Sequence, residues 1–430
     1  MKKWLILLLG MILLWQPLPA EQVHAKSRSA GPVAAVSETV RFADKNLEKA
    51  IRETLGKPKG VLTKEDVLTI TALDGNQKNI TSLRGISALA NLERLDLNGN
   101  RISDLTPLAS LDKLESLDLS DNSIRELKPL ASLKNMRWLS LTNNQIEDLS
   151  ALSRMTRLEF LQASNNRVSQ LRPLANLVNL QQLYLDDNRI RNIGPLASLR
   201  KMRTLSLDNN TIDDVKALSS LPMLKTLYLS RNEIQDISPL AHLERVENLW
   251  LDNNFVHDIS AMAQAKSIRQ LALQNNQIED ISPLASLKQL RRLDLMGNLV
   301  KETDALRSLT NLEYLNLERN RVNDVGGLSQ LNRLQDLFLS DNDISDLTPL
   351  GNLHKLRTLF LGENNISDIR PLSRLDSLET LGLENNEIEE IDALADLDDL
   401  KYLTIYNNPL STEAIQLIVN LRDNGVDVSF

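Results

Sequence analysis

Aromatic side chains concentrate at three positions of a sequence repeat, where their type and spacing could support binding chemistry. These positions, equivalent to Arg94, Asp96 and Asn98, make up 45 of the 405 residues after residue 25, yet they hold ten of the thirteen aromatic residues there. Exposed rings in a polar surround are typical of macromolecular interfaces. Strand positions favour aromatic residues in any case, which explains part of the enrichment. The ten are Trp138, Phe160, Tyr184, Tyr228, Trp250, Tyr314, Phe338, Phe360, Tyr402 and Tyr406.

The same three positions carry nine acidic residues and two basic ones, a net charge of −7 in a chain whose formal net charge is −8. An acidic surface favours a protein partner with a basic patch and makes association sensitive to salt. Together with the ten aromatic residues, Asp186, Asp208 and Asp252 form the predicted binding site. The charged residues at these positions are Asp96, Asp118, Asp186, Asp208, Asp252, Asp294, Glu318, Asp336 and Glu384, with Arg94 and Arg292.

No arrangement of residues predicts catalysis. The chain has no cysteine, which excludes disulfides, a thiol nucleophile, cysteine-ligated zinc and a lipidation box. His242, His257 and His354 fall at different repeat positions, so they define no shared metal site or triad. We therefore expect no enzyme activity, no cofactor and no metal ligand set. The acidic balance also argues against a nucleic-acid partner.

A strict repeat of 22 residues must position these side chains. Each repeat closes the pattern L-x-x-L-x-L-x-x-N, as in Leu92-x-x-Leu95-x-Leu97-x-x-Asn100, and the two inner leucine positions are Leu in 28 of 30 cases. Alternation around Leu95 and Leu97 predicts one short strand per repeat, with the flanking positions pointing away from the core. The repeat asparagines are Asn100, Asn122, Asn144, Asn166, Asn188, Asn210, Asn232, Asn254, Asn276, Asn298, Asn320, Asn342, Asn364, Asn386 and Asn408.

The other half of each repeat predicts a tight turn. Apolar residues recur there every three positions, as in Ile102, Leu105, Leu108 and Leu111, and proline begins this turn in eight repeats. We therefore predict an α/β leucine-rich-repeat solenoid, a curved right-handed superhelix. Its concave face is a parallel β-sheet, its convex turns are of the 3₁₀ type, and it has a helical N-cap and a helix–strand C-cap. Thr303 at an otherwise apolar position suggests a local irregularity.

Two polar columns follow the same period. We expect the asparagine column to satisfy backbone groups in every coil rather than to bind a partner. The position of Asp104 is acidic in twelve of fourteen coils. Each of these carboxylates can cap its own turn, which is the favoured interpretation, or neighbouring ones can share a divalent cation.

The ends of the chain differ from the repeats. Residues 1–25, with Lys2 and Lys3 before an apolar run, predict a signal peptide cleaved before Lys26, with cleavage after Ala20 as the alternative. We predict that residues 26–37 form a flexible leader and that residues 38–86 form a helical N-cap with a degenerate first coil. Residues 87–410 should then form fifteen regular coils, and residues 411–430 a C-terminal cap. We expect a secreted or envelope-associated monomer, with no stable membrane insertion after cleavage.

The repeat, with its I-x-D-I/L-x-P-L half, resembles the internalin-type repeats of bacterial surface proteins over roughly residues 38–430. The segment from Phe42 through Asp44, Leu47, Ala50 and Ile51 resembles the helical N-cap of that family. The resemblance implies a concave face that binds a partner protein. The sequence shows neither an immunoglobulin-like module after the repeats nor an LPxTG-type sorting signal, so surface anchoring and host adhesion are not implied. A cell-wall glycan is the alternative ligand, since aromatic rings also stack on sugars.

Overall fold

A computed structural model describes residues 38–430, so the predicted signal peptide and leader lie outside the described residues. The helices are α1 (Lys45–Leu55), α2 (Lys64–Val67) and α3 (Thr412–Asp423). The strands of the described part are β1 Ala72–Asp74, β2 Arg94–Asp96, β3 Ser116–Asp118, β4 Trp138–Ser140, β5 Phe160–Gln162, β6 Gln182–Tyr184, β7 Thr204–Ser206, β8 Thr226–Tyr228, β9 Asn248–Trp250, β10 Gln270–Ala272, β11 Arg292–Asp294, β12 Tyr314–Asn316, β13 Asp336–Phe338, β14 Thr358–Phe360, β15 Thr380–Gly382, β16 Tyr402–Thr404 and β17 Asp427–Ser429.

A short 3₁₀ helix follows each strand from β2 to β15 and also precedes β2, on the opposite side of the coil. In eight of them proline occupies one of the first two positions, where its fixed φ suits the turn. Their bounds are Ile86–Ala88, Thr106–Leu108, Lys128–Ser132, Ser150–Arg154, Arg172–Leu174, Gly194–Ser198, Lys216–Ser220, Ser238–His242, Ser260–Gln264, Ser282–Ser286, Asp304–Ser308, Gly326–Leu328, Thr348–Leu350, Arg370–Arg374 and Asp392–Leu394.

Every strand pairs in parallel with the strand that precedes it and the strand that follows it in the chain, forming one open sheet from β1 to β17. From β1 to β16 the register advances by one repeat per strand, so Leu95 lies beside Leu117. The leucines form a continuous buried core between sheet and turns, with Leu97 fully buried. The predicted leucine-rich-repeat solenoid is confirmed.

The asparagine column makes the same contacts in every regular coil. In the sixth coil Asn210 Nδ2 donates to the carbonyl oxygens of Leu185 at 3.0 Å and Leu207 at 3.1 Å. Its Oδ1 accepts from the backbone N–H of Ile190 at 2.9 Å. Each asparagine therefore joins its own coil to the preceding one, and its buried amide meets backbone groups that would otherwise cost about 1–3 kcal/mol each. The structural role predicted for these residues agrees with this geometry.

A second backbone feature was not predicted. The residue before each repeat asparagine has a left-handed conformation, with φ of 53–58° at the non-glycine residues and 66–67° at Gly99 and Gly297. Glycine, asparagine and aspartate tolerate this region, and they fill twelve of the fifteen positions. Arg231, Arg319 and Glu363 occupy the rest. This column turns the chain out of the sheet, and its composition was the signal that could have revealed it.

Thr303 marks a local adaptation that leaves the sheet unbroken. Its buried hydroxyl donates to the carbonyl oxygen of Asp324 at 3.0 Å and accepts from the N–H of Gly327 at 3.2 Å. A Cβ at Gly327 would lie only 2.0 Å from the Thr303 carbonyl oxygen. The threonine and the glycine therefore form a matched pair, while strands β11 to β13 keep their register.

Both ends of the solenoid are covered. At the start, Asp44 caps α1 by accepting from Asn46 and Leu47, and Gly56 ends the helix with φ of 60°. Thr63 and Asp66 form a reciprocal capping box at α2. At the far end α3 and β17 cover the last coil, and β17 pairs with β16. Within residues 38–430 no helix is long and apolar enough to cross a membrane.

Candidate binding face

The outward side chains of the sheet and of the residues just after each strand build the candidate site. Nine of the ten predicted aromatic residues lie in strands, and Tyr406 lies just after β16. The strands are only three residues long, so their first and third residues face away from the leucine core. Eight of the rings are half-buried rather than freely exposed, because they contact one another across neighbouring coils. Tyr402 and Tyr406, on the last coil, are 56% and 41% exposed.

Eight rings form three separate clusters. The first cluster is Trp138, Phe160 and Tyr184, with centroid distances of 5.1 Å and 5.6 Å. The second is Tyr228 and Trp250, with centroids 4.3 Å apart. The third is Tyr314, Phe338 and Phe360, with distances of 5.4 Å and 5.6 Å. The prediction placed these residues on one face, and the structure adds their division into clusters.

Repeat position decides how two adjacent rings meet. Two rings at the same position of successive coils are nearly parallel: Tyr228 and Trp250 have planes 13° apart, and Phe338 and Phe360 8° apart. Rings at different positions, as in Tyr314 and Phe338, tilt by 45°. The strand spacing of about 4.8 Å lies close to the preferred separation of stacked rings. The sheet therefore holds these rings in fixed orientations.

The third cluster is extended by a cation and bounded by a glycine. The Arg292 guanidinium lies 4.1 Å from the centroid of the Tyr314 ring, in a cation–π contact. At the other end, a Cβ at Gly382 would lie 2.6 Å from Phe360 Cδ1. The glycine therefore leaves room for the Phe360 ring to lie against the next strand.

Acidic groups between the first and second clusters are held by serine hydroxyls. The Asp186 carboxylate accepts from the hydroxyls of Ser206 and Ser164 and, at 2.9 Å, from the backbone N–H of Asp208. Burial raises the pKa of Asp186, and the serine hydrogen bonds oppose that rise. Burial also raises the pKa of the nearby Tyr184 hydroxyl to about 12. Sequence reasoning missed the serines, although they occupy the same outward positions.

The network continues to the third predicted acid. Ser230 donates its backbone N–H to Asp208 at 2.7 Å and its hydroxyl to Asp252 at 2.6 Å. Asp252 is only 3% exposed. The structure thus brings Asp186, Asp208 and Asp252 together beside Tyr184, Tyr228 and Trp250. A buried carboxylate in such a place is stabilised when a cationic partner group approaches.

Two further acids of this face are held in a destabilising environment. Burial raises the pKa of Asp118 and that of Asp294 to about 6, and neighbouring carboxylates add to the rise. The unfolded chain releases these protons near pH 4, whereas the folded chain keeps them until about pH 6. Stability contributed by these groups therefore falls as pH rises from about 4 to 6, and the cost is fully present at pH 7.

This linkage makes a direct prediction. The double variant Asp118→Asn/Asp294→Asn should be more stable than the parent at pH 7 by about 1–3 kcal/mol, and equal to it at pH 4. Urea unfolding at both pH values measures the difference. Asp112→Asn/Asp376→Asn changes two exposed carboxylates outside this face and serves as the control. An equal gain from the control pair would refute the assignment.

The nine aspartates of the acidic column at Asp104 cap their own turns. Oδ1 of Asp104 accepts from the N–H of Thr106 at 2.9 Å, and Oδ1 of Asp258 accepts in the same way from Ser260 at 2.8 Å. The Thr106 hydroxyl and backbone N–H lower the pKa of Asp104, and the Ser260 backbone N–H and hydroxyl lower that of Asp258. The favoured interpretation of this column is thus consistent with the geometry. Residues 38–430 contain no group of three or more acidic, histidine or cysteine side chains placed to hold a metal ion.

Removal of divalent cations should therefore leave the fold unchanged. We expect the melting temperature in excess chelator to match that in millimolar calcium or magnesium, because the nine aspartates of the column already accept from a turn N–H. Differential scanning calorimetry with and without chelator measures this. A chelator-dependent fall in melting temperature would revive the cation-sharing interpretation.

The repeats match known sequence families along most of their length. One leucine-rich-repeat family model matches residues 77–192, and another matches residues 354–410. A third model, which describes two copies of the repeat, matches six stretches: 178–220, 222–264, 266–308, 288–332, 310–349 and 332–374. The internalin InlF from Listeria monocytogenes, known from a crystal structure, shares 34% sequence identity with this chain. The match covers 81% of this chain and 98% of that chain, with a TM-score of 0.69. This chain belongs to the internalin-like leucine-rich-repeat family.

Other solved structures share the fold. A leucine-rich-repeat protein of Leptospira interrogans is 26% identical to this internalin-like chain, with 85% and 97% of the two chains covered and a TM-score of 0.80. The ectodomain of the Arabidopsis thaliana receptor kinase GASSHO1/SCHENGEN3, in complex with CASPARIAN STRIP INTEGRITY FACTOR 2, is 22% identical over 77% of this chain and 46% of that chain, with a TM-score of 0.65. The latter likeness concerns the fold alone. No protein with a curated description matches the chain significantly.

Proposed function

We propose that this internalin-like protein is secreted or held at the cell surface, where its concave face binds a partner protein that carries a basic patch. The observation that carries the proposal is the set of three aromatic clusters beside hydrogen-bonded, partly buried carboxylates. Large rings in a polar surround are the side chains that most often dominate interface energies. The protein acts as a binding scaffold, with recognition or adhesion as its role.

The acids of this face support a basic partner. Asp118 and Asp294 reduce stability at neutral pH because burial raises their pKa, yet both lie on the concave face. A lysine or arginine from a partner would supply the missing positive charge and lower both pKa values. The Arg292–Tyr314 contact is an internal example of the cation–π pair that such a partner would make.

The geometry also supports rigid docking. Stacked neighbours restrict the rings, and the parallel sheet beneath them is continuous from β1 to β17. A face that is already ordered loses little conformational entropy on binding. The plant receptor ectodomain of similar fold forms a complex with CASPARIAN STRIP INTEGRITY FACTOR 2. We infer that this chain, acting as a monomer, likewise uses its solenoid to hold a polypeptide ligand.

A capture experiment tests the proposal. The exported full chain is immobilised and offered solubilised surface proteins in one arm and purified cell-wall polysaccharide in the other. We expect the immobilised chain to retain a protein at low salt and to release it at about 0.5 M salt. The variant Phe338→Ala/Phe360→Ala should no longer retain this protein, whereas Phe255→Ala should retain it like the parent. Phe255 is an exposed aromatic residue outside the concave positions and is the matched control. Polysaccharide retained through these rings, with no protein, would favour the glycan alternative.

Export is a separate prediction. Because Lys2 and Lys3 precede an apolar run from Trp4 to Trp15, and small residues follow at Val23 and Ala25, we expect cleavage before Lys26 and a mature protein in the medium or envelope fraction. N-terminal sequencing of the fractionated protein measures this. An intact Met1 on cytosolic material would contradict it.

A further inference from the structure

One edge of the solenoid carries positive charges that are not part of the concave face. This edge consists of the turn residues just before each strand, at the positions of Ala90, Asn91 and Glu93. In coils 6–10, residues 200–291, these positions hold nine basic residues and two acidic ones, a net charge of +7. We call this surface the basic edge. Its charge is opposite in sign to the whole chain, whose formal net charge is −8.

The rest of the same edge is an internal comparison. In coils 1–5 the three positions hold four basic and four acidic residues, and in coils 11–15 four basic and five acidic ones. The repeat therefore does not require positive charge at these positions. Their concentration in five successive coils is a property of this stretch of the chain.

Few of these cations are neutralised within the part of the chain that the structure describes. Glu247 lies 3.1 Å from Lys225 and 3.9 Å from Arg269, and Arg291 pairs with Glu313 at 3.4 Å. The other six have no carboxylate partner within 4 Å in residues 38–430, and all six are exposed. They are Arg200, Lys201, Arg203, Arg245, Lys266 and Lys288.

The basic edge is long, narrow and interspersed with neutral polar groups. Five coils at the strand spacing span about 20 Å. A shallow cleft of about 380 Å³ runs through its centre, where Ser267 and Gln289 lie among Lys225, Arg245 and Lys266. Cations repeated once or more per coil, with hydroxyl and amide groups between them, suit a ligand that is itself a charged, hydroxyl-rich repeat.

We propose that the basic edge binds a linear acidic polysaccharide that carries a carboxylate on each successive sugar. The length of one sugar residue is close to the distance between coils, so cations and carboxylates can match in register. The three edge positions hold no aromatic residue in coils 6–10, so there is no ring on which a nucleobase would stack. This site is distinct from the aromatic concave face, and both can be occupied together.

Charge-neutral variants of the full exported chain test the proposal. The test variant is Lys201→Gln/Arg245→Gln/Lys266→Gln. The control is Lys113→Gln/Arg157→Gln/Arg333→Gln, which removes the same number of charges from equivalent edge positions outside coils 6–10. Binding of both to polygalacturonate is measured at 50 mM and 500 mM salt, with neutral dextran and polyglutamate as comparison ligands.

The parent should bind polygalacturonate, and high salt should abolish binding. The test variant should lose about tenfold or more in affinity and the control less than about twofold. Equal losses in the two variants would overturn the proposal, as would equal binding to polyglutamate or to dextran. Salt-sensitive self-association in sedimentation, lost with the test variant, would instead assign the basic edge to a second copy's acidic residues between 376 and 399.

Discussion

Removal of residues 411–430 is expected to abolish cooperative unfolding and to cause aggregation. This segment contains α3 and β17, whose buried residues include Ile418 and Val428. Without it the β16 edge would lose the backbone hydrogen bonds between Ile405 and Ser429 and between Asp427 and Lys401. Leu400 and Leu403, now almost fully buried, would face water. Each newly exposed apolar side chain costs about 1.5–3 kcal/mol, and several together approach the whole stability of a domain.

Calorimetry and sedimentation of the truncated chain measure this result. Deletion of Phe430 alone is the matched control, because its ring is 48% exposed and contacts Arg422 rather than the core. The control should melt like the parent. A truncated chain that stays monomeric with an unchanged melting curve would show that the last coil needs no cover, contrary to the general requirement of solenoids for capped ends.

The repeat explains why so much of the fold could be predicted. Each coil must bury the same leucines and satisfy the same backbone groups. The regular spacing of Asn210 and its equivalents was therefore enough to predict that they bond to the backbone of every coil. The caps were equally predictable, since Asp44, Thr63 and Ser411 meet local needs of their own helices. These features depend on neighbours in the sequence or on the period.

The ring clusters, the burial of the acids and the serine hydrogen bonds depend on contacts between particular coils. That Tyr228 and Trp250 share a repeat position in adjacent coils was visible in the sequence, but the prediction treated the rings as a row and did not use that spacing. The burial of Asp118 and Asp294 could not be read from the sequence, because it depends on how neighbouring side chains cover them. The serines that hold Asp186 likewise gain their role only when three coils are stacked.

The largest functional effect is expected from the second cluster. Tyr228 and Trp250 lie near the middle of the sheet, with Asp252 beside them, and neither ring belongs to the leucine core. Replacing both by alanine should cost about 2 kcal/mol or more in affinity for the protein partner, about a 30-fold rise in Kd. The fold should persist, because a lost aromatic pair contributes only about 0.5–1.5 kcal/mol beyond its buried area.

One measurement tests the central claim most directly. Titration calorimetry at one salt concentration gives the affinity of Tyr228→Ala/Trp250→Ala for the captured partner, and this is compared with the affinities of Phe255→Ala and of the parent. If the concave face is the binding site, the double variant binds about 30-fold or more weakly, while Phe255→Ala and the parent bind alike and all three melt cooperatively. If the folded double variant binds the partner as tightly as the parent, the concave aromatic clusters are not the site of recognition.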